Sequence, residues 1–191
     1  MIEIPRDTIH KAAEGDMAAF ECIYKAASGL VFTVALRVVG NWQTAQEVTQ
    51  DVFLKIHSGL GSFEFKSSLK TWIYRITVNT AINARKYAHR GTRRTVSIED
   101  GVPAAELACQ PPDIAAKIEN EHTVETLLEK LSPEQRAAIV LRELEGLCYE
   151  EMARVLHVNI NTVRSRLKRA RAALAKLAGT HTRSMRPTLY V

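Results

Sequence analysis

The chain has 191 residues, 46% of them hydrophobic and 25% charged, with a formal net charge of +5. That is enough apolar material for one core or two small ones, and the excess of Lys and Arg suits a polyanionic partner. Its three cysteines, Cys22, Cys109 and Cys148, lie far apart with no Cys-x-x-Cys and no completing histidine, which excludes a disulfide scaffold and a zinc module and fits a reducing compartment.

From the N-terminus, Met1 to Asp7 lacks the basic-then-apolar order of a signal peptide. The most apolar run, Leu30 to Val39, is interrupted by Arg37 and is too short to cross a bilayer, so a cytoplasmic protein with no membrane insertion is expected. Periodicity is helical throughout, and no stretch alternates as a strand would. A short helix is predicted from Thr8 to Glu14, broken at Gly15. Asp16 can cap a second helix carrying Phe20, Ile23, Tyr24, Val31, Val34, Ala35 and Val38, which stops at Gly40-Asn41. Thr44 and Glu47 match a capping box opening a third helix with Val48, Val52, Phe53 and Ile56 inward; Ser58 to Ser62 reads as flexible.

A fourth helix is expected from about Leu69 to Tyr87, burying Leu69, Ile73, Ile76, Ala84 and Tyr87. Beside that stripe runs another of Trp72, Arg75, Asn79 and Lys86, an aromatic, polar and basic mixture that a core does not need. Arg85, Lys86, Arg90, Arg93 and Arg94 read as a phosphate track or a solvated helix end. Between Thr95 and Glu121 the acids are Glu99, Asp100, Glu106, Asp113, Glu119 and Glu121, against Lys117 alone. With Pro103, Pro111 and Pro112 this is an extended acidic linker as far as Pro112, with helix resuming between Ile114 and Glu129. Ser132-Pro133-Glu134-Gln135 is a helix start with Ser as cap and Pro in the first turn.

The most informative segment is Leu147 to Arg171: a short helix, a tight turn and a very basic helix, the layout of a helix-turn-helix whose second helix enters the DNA major groove. Val163, Leu167, Ala170, Leu174 and Leu177 make its core stripe. Arg164, Lys168 and Arg171 line up beside it, Ser165 and Arg169 extend the polar face, and Arg166 lies on the flank. The tail after Gly179 shows no period. The expected fold is therefore all-α: two small helical domains joined by a flexible acidic linker, the C-terminal one containing a helix-turn-helix. The boundaries read as 1–94, linker 95–121, 122–178 and tail 179–191.

Three strings, in this order, resemble the extracytoplasmic-function group of bacterial sigma factors in the sigma-70 family: Thr44 to Lys55, then Phe63 with Leu69 to Asn79, then Leu131 to Arg136 running on to Arg171. The resemblance implies a factor that binds core RNA polymerase and directs it to promoters. Gln46, Glu47, Gln50, Asp51, Leu54 and Lys55 would lie at or near the polymerase contact, although Glu47 could equally cap its helix. Phe63, the loop Glu64 to Ser68, and Trp72, Arg75, Asn79 and Lys86 would recognise and melt the minus-ten element. A flipped base needs an apolar surface, polar groups for its edges and a positive track for phosphates. A core role for Trp72 is the equal alternative.

Arg164, Ser165, Lys168 and Arg169 match positions that read the minus-thirty-five element, with Arg171 on phosphate. The acidic linker would lie in the polymerase's RNA exit path or serve as a plain tether. A cognate anti-sigma factor is implied as a further partner. Thr44, Cys148, His157, Asn159 and Asn161 depart from the family's usual residues without removing a DNA-facing group. No catalytic constellation, metal site or cofactor is expected. The rival reading is a stand-alone helix-turn-helix regulator of duplex DNA; a weaker rival is an enzyme acting on nucleic acid.

Overall fold

The computed structural model describes residues 4–94 and 125–184, with side chains through 88 and 177 of the two stretches, and contains no strand among them. Helix α1 (Arg6–Ala13) ends at Gly15, whose φ is +99°. Helix α2 (Met17–Val39) is capped by Asp16, whose Oδ1 accepts from the N–H groups of Ala18 and Ala19 at 2.8 and 3.2 Å. It is long and apolar enough to pass as a membrane span by composition, a length that the expectation from Leu30 to Val39 understated. Here α1, α3 and α4 cover it instead, and Ile23, Ala27, Val31, Val34, Ala35 and Val38 are fully buried. The helix stops at Gly40, in the left-handed region with φ +79°.

Helix α3 (Trp42–Gly59) starts two residues later. Its cap is Asn41, whose side chain accepts from the N–H of Thr44 at 2.9 Å, so the expected Thr44–Glu47 capping box does not form. Asparagine is the better N-cap of the two, and Asn41 directly follows the preceding helix stop. The expected flexible stretch is ordered too: α3 continues to Gly59 and a single 3-10 turn, Leu60–Ser62, buries Leu60 to 2% exposure.

Helix α4 (Leu69–Arg94) is capped by Ser68, whose hydroxyl accepts from the N–H of Thr71 at 3.1 Å. Leu69 and Ile73 face the core as expected, and Ile76 and Ala84 are half-buried. Tyr87 is 81% exposed, because at this level α4 turns its buried side toward Arg85, about 160° around the helix from Tyr87.

In the second stretch, residues 125–129 are helical, in line with the helix expected to reach Glu129. Helix α5 (Pro133–Ile139) opens with the expected capping box between Ser132 and Gln135, at 3.3 and 3.1 Å. It widens into a π-turn, Val140–Leu144, marked by the Glu145 N–H reaching back five residues to the Val140 carbonyl at 3.0 Å. Helix α6 (Tyr149–Leu156) ends at His157 in the left-handed region with φ +52°. Helix α7 (Ile160–Ser184) follows from the cap Asn159, whose Oδ1 accepts from the Asn161 N–H at 2.8 Å, and passes Gly179, where the sequence suggested a stop. Val163, Leu167 and Ala170 bury against α5 and α6, as the wheel predicted.

The two modules, α1–α4 and the stretch from 125 through α7, are docked. Helix α4 packs on α6 and α5, α2 reaches α5 and the π-turn, and buried apolar side chains of both modules form one continuous cluster.

Candidate nucleic-acid and partner interfaces

On α3, Gln46, Glu47, Gln50, Asp51, Leu54 and Lys55 are all exposed, and at 100° per residue they cover a single half of the helix surface. Lys55 donates to the Thr80 hydroxyl at 3.0 Å. Leu54 is 69% exposed and overhangs an apolar groove of about 560 Å³ shared with α2, lined by Met17, Phe20, Tyr24, Gln50, Phe53 and His57. Met17 and Tyr24 are themselves open to solvent. Exposed apolar groups that cluster in a groove mark an interaction surface far better than single ones do. The sequence pattern marked the α3 wall of this groove but not the α2 wall, because Phe20 and Tyr24 fit the period of a core stripe.

The minus-ten candidates divide. Phe63 and Trp72 are each 9% exposed and meet in a tilted ring contact, with centroids 5.2 Å apart and planes at 44°. Trp72 lies over Gly59, where an added Cβ would come within 3.3 Å of the indole. Both belong to the scaffold under the loop. Phe65, which the sequence reading covered only as part of the loop Glu64 to Ser68, is half-buried beside them. It is held at φ +54°, an unusual conformation for a bulky residue, between Phe63 at 4.7 Å and His10 at 5.0 Å, with the Arg6 guanidinium 5.3 Å over its ring. Such backbone persists only where its surroundings over-determine it, and it clusters at ligand clamps. A pocket of about 550 Å³ opens beside it, lined by Ile4, Arg6, Ser67, Ser68 and Lys70 among others.

Arg75 and Asn79 are exposed on α4, and Lys86 is paired with Glu134 of α5 at 2.6 Å. Burial alone would raise the Glu134 pKa, but the hydrogen bond from Lys86, its own backbone and the charges of Lys86 and Arg166 hold it below the usual carboxylate value. Arg85 is not on a surface track. It is 7% exposed and donates to the carbonyls of Val39 at 2.7 Å and Glu129 at 3.0 Å. Arg90, Arg93 and Arg94 lie outside the described side chains, as the linker 95–121 lies outside the described residues.

On α7, Arg164, Lys168 and Arg169 are exposed on one side. The Asn161 amide oxygen steadies Arg164 at 3.0 Å, and Ser165 donates to the Thr162 carbonyl at 2.9 Å. Arg171 is exposed but ion-paired to Glu143 at 2.6 Å, which braces α7 on the π-turn. The face is thus a row of cations on a helix whose opposite side is locked into a core, the geometry that a groove-reading helix requires.

A helix-turn-helix module with a row of exposed cations on its second helix thus packs beside a helical module that carries an exposed apolar groove. Family models described as sigma-70 region 2 and sigma-70 region 4 match residues 23–100 and 121–174. The chain is 35% identical over 182 residues to the RNA polymerase sigma-H factor of Pseudomonas aeruginosa, covering 91% of this chain and 93% of that one. It is 33% identical to the ECF RNA polymerase sigma-E factor of Escherichia coli K12 over 87% of this chain and 90% of that protein. Among solved structures it is similar to the sigma factor RpoE in complex with the anti-sigma factor NepR from Bartonella quintana (TM-score 0.62, 25% identity, 84% of this chain and 96% of that one). CnrH in complex with the cytosolic domain of CnrY shares the fold (TM-score 0.65, 24% identity, 93% of this chain and 99% of that one). The chain belongs to the extracytoplasmic-function sigma factors of the sigma-70 family.

Proposed function

We propose that this sigma factor divides its work among the surfaces described above. Residues 1–94 form the polymerase-binding and minus-ten module, 95–121 the linker, 122–178 the minus-thirty-five module and 179–191 a tail; the two family matches, to 23–100 and 121–174, support this division. Core RNA polymerase docks on the α3 face Gln46, Glu47, Gln50, Asp51, Leu54 and Lys55. The groove behind Leu54 supplies apolar burial, worth about 25 cal/mol per Å² removed from water. Arg164, Ser165, Lys168 and Arg169 read the minus-thirty-five element in the major groove, with Arg171 serving phosphate once it leaves Glu143. Arg75, Asn79 and Lys86 track the opened strand at the minus-ten element, over the scaffold of Phe63 and Trp72.

The observation that carries this reading is that the row of exposed cations on α7, Arg164, Lys168 and Arg169, lies in the segment matched by sigma-70 region 4, and the exposed α3 face with its apolar groove in the segment matched by region 2. The protein contributes binding and strand capture, polymerase performs the chemistry, and no catalytic group or cofactor of its own is required. A cytoplasmic location follows from its partners. The relative solved with its anti-sigma factor supports control of this chain by a protein of that kind.

Run-off transcription with core polymerase on a promoter library is the direct test. Start sites that depend on this protein, sharing both an upstream and a downstream element, are the expected result. Binding to duplex DNA with no effect on polymerase would favour a stand-alone regulator.

A further inference from the structure

At one place the two modules meet with charges of the same sign. A cleft of about 190 Å³ is lined from the first module by Lys66, Ser67, Thr71 and Arg75, and from the second by Arg154 and His157. Lys66 lies in the loop before α4 and Arg75 in the second turn of α4, while Arg154 is in the last turn of α6 and His157 at its left-handed end. Among the described residues no carboxylate lines the cleft. The modules are pinned together by Glu145, just after the π-turn. Its carboxylate receives the Arg37 guanidinium at 2.6 Å on one oxygen and the hydroxyl of Tyr74, the chain neighbour of Arg75, at 2.8 Å on the other. The fully buried Arg136 adds a bond to the Arg37 carbonyl at 2.6 Å.

The protein's own carboxylates leave these charges largely unanswered. Lys66 pairs with Glu64 at 2.5 Å, but both side chains stand mostly in water, where such a pair is weak. Arg154 feels the charges of Glu150 and Glu151, yet the Glu151 carboxylate is engaged by the Cys148 N–H at 2.8 Å. Arg75 and Arg154 are exposed, and neither makes an ion pair among the described residues. A cation in the last turn suits the C-terminal carbonyls of a helix, which accounts for Arg154 on α6 taken alone. It does not account for Arg75 across the cleft, nor for the Ser67 and Thr71 hydroxyls beside it. Cations gathered in a cleft with protein on both sides focus a positive potential. Guanidinium, ammonium and hydroxyl groups together are the donor set that phosphate oxygens take.

We propose that this cleft binds a small diphosphate anion, free or as the end of a nucleotide: Lys66 and Arg75 hold it from the first module, Arg154 and His157 from the second. A single phosphate would leave part of the charge facing itself, whereas two linked phosphates can answer Lys66, Arg75, Arg154 and a protonated His157 together. Because its partners come from both modules, the anion binds where they meet and strengthens that contact by mass action. Arg75 also belongs to the strand-tracking set proposed above, and the inference rests on that reading in one respect: diphosphate and opened strand compete for this residue.

The test is isothermal titration of pyrophosphate, and separately of ADP and of inorganic phosphate, into the full chain without magnesium, polymerase or DNA. Pyrophosphate should fill one saturable site per chain, and inorganic phosphate should bind more weakly. Equal affinity for pyrophosphate and ADP assigns the site to the diphosphate alone, and tighter binding of ADP assigns it to a nucleotide; either result supports the proposal. Arg154→Gln should weaken pyrophosphate binding at least about tenfold, the ordinary effect of deleting one charged hydrogen-bond partner. Arg154→Lys, which keeps the charge, should bind close to wild type. His157→Asn, which tolerates the left-handed backbone, should weaken binding by less than Arg154→Gln. Lys25→Gln removes the same charge from a lysine paired with Glu21 on α2 and should change nothing. Absence of saturable pyrophosphate binding overturns the proposal, as does a loss in Lys25→Gln equal to that in Arg154→Gln, or inorganic phosphate bound as tightly. Binding of a single-stranded oligonucleotide that needs Arg154, with pyrophosphate binding that does not, would give the cleft to nucleic-acid backbone instead. Dependence of transcription on the protein is scored separately, so a failed anion site and a failed sigma assignment give different results.

Discussion

Two single residues carry more of the architecture than their chemistry suggests. Gly40 ends α2 with φ +79°, and a Cβ there would come within 2.9 Å of both Arg136 Nη2 and Glu125 Oε1. Gly40→Ala therefore combines a left-handed penalty of about 1–2 kcal/mol with displacement of the ion pair that the buried Arg136 makes with Glu125. The urea midpoint should fall by at least the equivalent of that penalty; an unchanged midpoint would mean that Arg136 moves aside freely. Cys148 caps α6 with extended backbone, and its N–H donates to the Glu151 carboxylate at 2.8 Å, but its sulfur is a weak acceptor. Cys148→Ser replaces that weak sulfur acceptor with a hydroxyl oxygen and should stabilise by about 0.5–1 kcal/mol in the same assay.

The sequence announced the Asp16 and Ser132 caps because cap chemistry is local. It could not announce Phe65, whose importance comes from the fold of a loop, nor the burial of Arg136, since an arginine in a polar run reads as solvated. Arg136 finds its carbonyl 99 positions away.

At the scale of the element, helix periodicity was legible nearly everywhere, and what it missed were ends. Near its end α4 buries Arg85 and leaves Tyr87 exposed on the other side, and α7 continues past a glycine where the pattern fades. Periodicity reports burial, so it falls silent once a helix leaves its neighbours. Helix α7 has the clearest functional face. Lys168 is exposed on the side away from Leu167, and reversing its charge leaves the core stripe intact. Lys168→Glu should weaken binding to an upstream duplex by tenfold or more, flatten its salt dependence by about one phosphate contact or more, and spare polymerase binding. Unaltered duplex affinity at matched salt would remove Lys168 from the reading face. On α4, Trp72→Ala should cost about 3–5 kcal/mol of stability, as for other large aromatic truncations in cores, and loss of strand opening would then follow from the fold. Trp72→Phe retains the stacking surface and should retain strand opening.

For the whole molecule, two modules were legible in the sequence and their docking was not. The contacts join residues from 44 to 108 positions apart, and no periodicity spans such separations. Glu134 gives the docked form a pH signature. Its folded pKa lies below the unfolded value, so its contribution is present above the ordinary glutamate range near 4.3 and disappears as the pH falls through the folded value. The gap in urea midpoint between wild type and Glu134→Gln should be open at pH 7 and close as acid protonates the carboxylate. A gap that persists in acid would show that Lys86 and Arg166 are not what Glu134 answers to.

The π-turn has a consequence of phase. Its hydrogen bonds skip five residues instead of four, so Val140–Leu144 holds one residue more than an α-helical path of the same span would need. Everything after it is set back by that residue, about 100° of helical rotation. Val140 and Leu141 can therefore serve the inner core while Glu145 still meets Arg37 and Tyr74. Deleting one residue within the turn would let the segment relax to ordinary helix and swing the carboxylate away from both partners, with every residue of the α7 reading face unchanged in sequence. The turn acts as a one-residue phase shifter between the hydrophobic rhythm that folds the module and the polar contact that orients it.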